Sequence, residues 1–200
     1  MTTIPHAISR IGSAYGGWDV ALGLIPSGVT ILSCGIGNDF SFDQFLIEKR
    51  NCFVVMVDPN SVAIEALAVS NLPLKNYAHI AAALWTDELG VAFGAERSNG
   101  AGVYSSGRKV KIGTVTIDGL LAKHPRAALL KMDIEGAEYD CIAGARFDIR
   151  PAQIAVGFHT AKGSGDRRKA IEKLESLGYY VASVEDDGPE IVNLFIRKDI

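Results

Sequence analysis

Four short stretches carry residues that could do chemistry together. SCGIGNDFSFD (33–43) offers Gly35 and Gly37, followed by the acids Asp39 and Asp43. Glycine has no Cβ, so a turn built on this pair can bring its backbone close to a ligand. FVVMVDPN (53–60) is an apolar run that ends on Asp58, 21 residues after Gly37. At that spacing, a carboxylate at a second strand end can accept both hydroxyl hydrogens of a ribose held by the first turn. KMDIEGAE (131–138) gathers Asp133, Glu135 and Glu138 around Gly136, and QIAVGFH (153–159) ends on His159. A histidine titrating near neutrality at the mouth of a crevice, with Asp133 on the neighbouring strand, is a candidate general base.

Each of these residues also has a plainer use. Two glycines can serve a strand-to-helix turn and nothing more, Asp58 or an acid of KMDIEGAE can cap a helix, and a strand-end histidine can simply sit at the surface. Two or three of these carboxylates could hold Mg²⁺, but no matching set of acids or Asn is identifiable elsewhere, so the sequence assigns no metal ligands and leaves metal assistance open. A dinucleotide fingerprint would place a third glycine at position 40, where this chain has Phe40. That disfavours a pyrophosphate, and the acids after the turn suit a cationic or zwitterionic ligand better.

The elements that must position these groups alternate. Strands are expected at 29–34, 53–58, about 77–84, 128–133 and 153–158, with helices at about 41–50, 61–70, 136–143 and 167–177. This rhythm implies a parallel sheet with its crevice at the strands' C-terminal ends. Residues 1–28 read as loop with one short helix around Val20 to Leu24. The middle, 86–127, reads as irregular strands and a loop, GAERSNGAGVYSSG, at which Asn99, Tyr104 and Arg108 offer polar contacts to a second substrate. In the last predicted helix, Asp166 caps the start, Ile171, Leu174 and Leu177 form an apolar stripe, and Gly178 stops it. YYVASV and IVNLFI, joined by the short polar EDDGPE, can pair only as antiparallel neighbours.

The whole chain, 1–200, reads as a single domain, with 1–28 as a lead-in and 29–200 as the core. With 48% hydrophobic and 22% charged residues, it can bury one well-packed core. A net charge of −3 without basic blocks gives no footprint for a nucleic-acid backbone. Cys34, Cys52 and Cys141 lack a CxxC pairing and read as buried thiols. No leader and no run of about 18–20 apolar residues is present, so the expectation is a soluble, cytoplasmic protein without a membrane span.

The motifs resemble the FkbM branch of the class I S-adenosylmethionine-dependent methyltransferases. LLKMDIEGAEYDCI is similar to that family's strand-four motif nearly residue for residue, and AVGFH follows where the family shows an apolar strand ending in an acid, an aromatic and His. SCGIGNDFSFD resembles the first motif of a sub-branch, and RIGSAYGGW its Gly-Gly-aromatic lead-in; the similarity spans about 10–197. The resemblance implies an α/β, Rossmann-like fold with a seven-stranded, mostly parallel sheet of order 3-2-1-4-5-7-6 and an antiparallel last strand. It implies S-adenosylmethionine as cofactor. Gly35 and Gly37 would lie under its methionine and ribose portions, Asp58 with Pro59 at the ribose, Ala82 to Leu84, centred on Ala83, around the adenine, and Gly16, Gly17 and Trp18 over the methionine end.

Two positions depart from the family pattern. Ser33 stands where many relatives have an acid that helps hold the amino group, so Asp39, Asp43 or Asp133 would take that part, and Gly157 replaces the acid before the aromatic-His pair. The resemblance implies O-methylation of a hydroxyl on a small molecule or glycan, with His159 and Asp133 as the catalytic pair. The acceptor would be bound by loops or by a second subunit of a homo-oligomer. A non-catalytic cofactor-binding scaffold is the alternative that Ser33 and Gly157 suggest. An NAD-dependent oxidoreductase would share the turn and Asp58, but its third glycine is missing from this chain and its sheet has no antiparallel closing strand.

Overall fold

The computed structural model describes residues 6–94, 100–161, 165–186 and 188–200. The chain opens with a hairpin of β1 (Ser9–Ile11) and β2 (Trp18–Val20), in which Ile11 faces Trp18. There follow β3 (Thr30–Cys34), α1 (Ser41–Arg50), β4 (Phe53–Val57), α2 (Ser61–Ala68) and β5 (Tyr77–Ile80). The middle holds β6 (Ala83–Leu84), β7 (Val91–Gly94), β8 (Lys109–Ile112), β9 (Thr114–Val115) and α3 (Ile117–Lys123). The last part holds β10 (Leu129–Met132), α4 (Glu138–Gly144), β11 (Gln153–His159), α5 (Arg167–Ser176), β12 (Tyr179–Asp186) and β13 (Glu190–Arg197).

Seven of these strands form one sheet in the order β5-β4-β3-β10-β11-β13-β12, which reads 3-2-1-4-5-7-6 when the seven are counted along the chain. β3, β4, β5, β10 and β11 are parallel, and β13 runs antiparallel between β11 and β12. The central strands are apolar at nearly every position because both faces are covered. Leu32, Leu130 and Ile154 pack on one face with Leu120, Ile142 and Leu174. Ile31, Leu129 and Ala155 pack on the other with Leu46, Ile25 and Trp18.

The register then decides where the polar residues go. Cys34 pairs with both Val57 and Met132, and Met132 pairs with Val156. Gly35, Asp58, Asp133 and Gly157 therefore stand level, one step beyond those partners, at a single edge of the sheet.

Local signals set the helix ends. Asn60 caps α2 by accepting from the Val62 N–H at 3.0 Å, which frees Asp58 from that task. Asp166 caps α5 by accepting from the Arg168 N–H at 2.9 Å, and Gly178 follows with φ +91°. All three cysteines are buried free thiols. No helix among the described residues is long and apolar enough to cross a membrane.

Three expectations need correction. The lead-in is a hairpin plus a short 3-10 turn at Leu22–Leu24, because Trp18 and Val20 alternate inward and bury, a two-residue signal too short to read. The strand expected at about 77–84 is broken: the Ala82 N–H turns back onto the Ile80 carbonyl at 2.8 Å, and β6 leaves the main sheet to pair with β9. The middle contains α3, in which Thr116 caps the start at the Gly119 N–H and Ile117, Leu120 and Leu121 are buried. Gly119 inside so short a helix hides it from propensity reading.

Among the ties between the lead-in and the sheet, one is made by a fully buried side chain. Gln153 Oε1 accepts from the Ala21 N–H at 2.9 Å, and its Nε2 donates to the Ala21 carbonyl at 3.2 Å. Gln153→Ala leaves both backbone groups buried without partners and should destabilise the protein by about 2–4 kcal/mol. Urea unfolding checks this, and a loss below about 0.5 kcal/mol would show that the anchor lies elsewhere.

Candidate active site

The glycine turn after β3 is held from three strands at once. The Gly35 N–H donates to the Val57 carbonyl at 2.8 Å, and the Asp133 N–H donates to the Cys34 carbonyl at 3.0 Å. Gly35 has φ +76°, and a Cβ there would lie 1.7 Å from the Asp133 carbonyl oxygen, so no side chain fits. Asp58 clamps the rest of the turn. Its Oδ2 accepts from the Ile36 N–H at 2.9 Å and the Gly37 N–H at 3.0 Å, and its Oδ1 accepts from the Asn60 N–H at 2.8 Å. A carboxylate has about four lone-pair sites. Three are taken by the backbone, which leaves one for a ligand hydroxyl rather than the two expected from sequence.

The hairpin supplies the opposite wall. Asp39 accepts from Ser13 Oγ at 2.6 Å and from the Ser41 N–H at 3.0 Å, which staples the hairpin loop to the start of α1. Burial acts to raise the Asp39 pKa, but these hydrogen bonds outweigh it and hold the carboxyl below its ordinary range. Gly16 is bare because a Cβ there would meet Asp39 Cγ at 2.6 Å, and at Gly17 it would meet the Ser13 carbonyl oxygen at 2.4 Å. Trp18 lies over Lys131, whose ammonium is 4.8 Å from the ring centroid.

The acids of KMDIEGAE separate by direction. Glu138 turns inward with no exposure, accepting from the Ile134 N–H at 2.8 Å and pairing with His159 Nδ1 at 3.0 Å. Asp133 and Glu135 stay at the pocket. Their oxygens lie 3.8 and 3.5 Å from His159 Nε2. Glu135 takes the left-handed conformation, φ +58°, uncommon for a residue with a side chain. Asp133, Glu135 and His159 each present one atom within 4.8 Å of the others, a spacing that a small cation could bridge.

Burial would lower the pKa of His159. The Glu138 hydrogen bond and the charges of Glu138, Glu135 and Asp133 outweigh it and raise the ring to about 9. His159 therefore carries its proton at neutral pH, which corrects the expectation of a group titrating near 7. Burial raises the Glu138 carboxyl, and His159 opposes that only in part.

Gly35, Gly37, Asp58, Pro59 and Ala83 line one pocket. Gly16, Gly17, Trp18, Asp39, Asp133 and His159 line the same pocket from the other side. Ser33 does not reach it: fully buried, it faces Asp43 beneath the turn, and neither residue lines the pocket. In the middle loop Asn99 lies outside the described residues, Tyr104 donates its hydroxyl to Asp140, and Arg108 is exposed away from the pocket. Ala101 and Val103 close the pocket there instead.

Sequence reading missed Lys131, Glu190, Glu185 and Arg10, all of which line the pocket. Lys131 was visible inside KMDIEGAE as a charge in an otherwise apolar strand. Glu190 had no signal, because it arrives from β13. A Cβ on Gly157 would come within 1.7 Å of Glu190 Oε1, so the space that a side chain at 157 would need is filled by a carboxylate from the neighbouring strand.

The family model for the methyltransferase FkbM domain matches residues 27–181. The chain is an FkbM methyltransferase. Its methyl donor is S-adenosylmethionine. No curated protein matches it. Among solved structures, the Methanococcus jannaschii fibrillarin pre-rRNA processing protein superposes with a TM-score of 0.54 at 10% identity, covering 87% of this chain and 68% of that one. The Geobacter metallireducens precorrin-6y C5,15-methyltransferase gives 0.52 at 12% identity, covering 88% and 85%. TrmK of M. capricolum, in complex with S-adenosylhomocysteine, gives 0.52 at 11%, covering 88% and 65%. At such identities the likeness is one of fold.

The pocket of this FkbM methyltransferase suits its donor chemically. Asp58 keeps one acceptor site for a hydroxyl, Val57, Leu84 and Val103 offer apolar surface to a flat base, and the end near Trp18 is charged. Asp58→Ala should lower S-adenosylhomocysteine affinity about 10–100-fold by calorimetry, since a hydrogen bond to a charged group and the clamp on the turn are lost together. An affinity within twofold of the unmutated protein would remove Asp58 from the site.

Proposed function

We propose that this FkbM methyltransferase methylates a hydroxyl oxygen on a small molecule or glycan, and that residues 1–200 act as a single methyltransferase domain. The observation that carries the reading is the convergence of Asp133, Glu135 and His159 at the edge of the donor pocket, with Glu138 behind the ring. When bound, S-adenosylmethionine supplies an electrophilic methyl group. A hydroxyl has a pKa far above neutral, so its attack is helped by a base that takes the proton as the bond forms. His159 is that base. The carboxylates that raise it to about 9 make it a strong base once unprotonated, and Glu138 fixes the ring so that Nε2 faces the pocket. Asp133 stands beside it to orient the acceptor and to receive hydrogen bonds from it.

The acid-rich mouth supports a neutral or cationic acceptor over a polyphosphate one. Asp133, Glu135 and Glu190 would repel a nucleic-acid backbone, and the chain's net charge is −3. Fibrillarin's link to pre-rRNA is therefore not carried over. Activity is favoured over an inert scaffold because the two departures are compensated locally: Glu190 fills the space beside Gly157, and Asp39 and Asp133 line the pocket where Ser33 does not.

Because the base acts only when unprotonated, turnover should rise with pH to a midpoint near 9. Glu138→Gln removes the main partner that raises the ring, so its midpoint should fall toward the ordinary histidine value of about 6.5. His159→Ala should lower kcat about 10²–10⁴-fold while S-adenosylhomocysteine affinity stays within a few-fold. The check is a pH–rate series with donor methyl label on a panel of hydroxylated acceptors; an unchanged rate for His159→Ala would end its role as base.

A further inference from the structure

Lys131 has no part in the reading above and Glu190 enters it only through its charge and the space it fills, yet both open into the donor pocket beside the Trp18 ring. The Lys131 side chain is 5% exposed. Its ammonium donates to the Gly35 carbonyl, faces the Trp18 ring, and lies 3.7 Å from Asp133 Oδ2, beyond hydrogen-bond reach. An ammonium has three N–H donors. Among the described residues one of them finds an acceptor. The carboxyl group has the converse shortage: among the described residues, Glu190 Oε1 is buried without a hydrogen-bond partner, in the notch left by Gly157. Trp18 Cη2 lies 3.1 Å from the Cβ position of that notch, so the ring that Lys131 faces also borders the notch Glu190 fills.

No ion pair joins Lys131 to Glu190 among the described residues. An ammonium and a carboxyl group therefore share a largely enclosed space without satisfying each other's hydrogen bonds, an arrangement that is costly unless a ligand completes it. The pocket's other cations are paired: Arg10, about a third exposed, with Glu185, and His159 with Glu138, Glu135 and Asp133. Among the described residues Lys131 is the nearly buried cation that keeps donors to spare. A ligand that carries a carboxylate and an ammonium on one carbon answers both needs together. The donor of an FkbM methyltransferase has such a group at its methionyl end.

We infer that Lys131 and Glu190 together recognise the amino-acid end of the methyl donor, Lys131 taking its carboxylate and Glu190 its ammonium, with Gly157 bare to seat Glu190. The inference rests on the donor assignment, and it is independent of which atom is methylated. It makes the site selective for the intact amino acid. A nucleoside that lacks that group would leave both charges as they are in the free protein.

The test is calorimetric titration of the full chain with S-adenosylhomocysteine, its decarboxylated analogue and 5′-methylthioadenosine. Lys131→Met should weaken S-adenosylhomocysteine about 10–100-fold and leave the other two within twofold, the loss expected for one hydrogen-bonded charge. Glu190→Gln should weaken S-adenosylhomocysteine and the decarboxylated analogue by a similar factor and spare 5′-methylthioadenosine. Gly157→Ala, which displaces Glu190 without touching its chemistry, should reproduce that pattern.

Equal weakening of all three nucleosides by Lys131→Met would overturn the inference and make Lys131 a tether for the glycine turn. Unchanged S-adenosylhomocysteine affinity in Glu190→Gln, with turnover lowered, would overturn it in favour of a contact to the methyl acceptor. Failure of the unmutated protein to bind any of the three would remove the donor site, and the inference with it. Failure of His159→Ala to slow turnover would leave it standing.

Discussion

The whole site depends on how closely the ends of β3 and β10 approach at Gly35. The Asp133 carbonyl occupies the position a Cβ on Gly35 would take, at 1.7 Å, and the Gly35 N–H and carbonyl are bound by Val57 and Lys131. Three strand ends are thus drawn to one residue with no side chain. A larger residue would have to push β10 outward, and Asp133, Lys131 and the start of KMDIEGAE would move with it. Asp58 extends the same constraint by holding the next two N–H groups, so that carboxylate shapes the turn as much as it serves a ligand. Its single remaining acceptor site is a consequence of that double duty.

What sequence could show follows the same division between local and distant causes. The strands β3, β4, β10 and β11 were legible because each is an apolar run that ends on glycine, acid or histidine, and helix caps such as Asn60 and Asp166 act within two residues of themselves. The site's charge balance was not legible. Glu138 and Glu135 look alike in KMDIEGAE, yet one is fully buried behind His159 and the other, held in the left-handed conformation, stays at the pocket. Gly157 read as a lost acid because a strand shows only its own residues. The carboxylate that fills the space comes from β13, whose antiparallel register sets Glu190 opposite His159.

The hairpin is the other part that sequence concealed, and its function is electrostatic as well as steric. Trp18 covers the sheet edge beside Lys131 and Glu190, and the Lys131 side chain there is only 5% exposed, whereas Asp133 stays 32% exposed. Exclusion of water from the ammonium strengthens the interactions it makes. The hairpin is retained by contacts at both ends, Gln153 on Ala21 and Asp39 on Ser13, so the lid over the charged end is part of the folded core.

The strength of the base and the stability of the site pull against each other. His159 has a folded pKa of about 9, above its ordinary 6.5, so its contribution to stability is complete below about 6.5 and is lost as pH rises through 9. Glu190, raised to about 7 by burial and then by the Asp133 charge, also favours its protonated form in the fold, and burial pushes Glu138 in the same direction. All three shifts therefore make the folded protein less stable as pH rises. The same rise frees His159 to act, and it leaves Asp133, Glu135 and Glu138 around a ring with no positive charge. A cationic ligand entering beside them would relieve that repulsion. Once the ring is neutral, the acids that make His159 a strong base thus also give the site an electrostatic reason to prefer a positively charged donor over its neutral product.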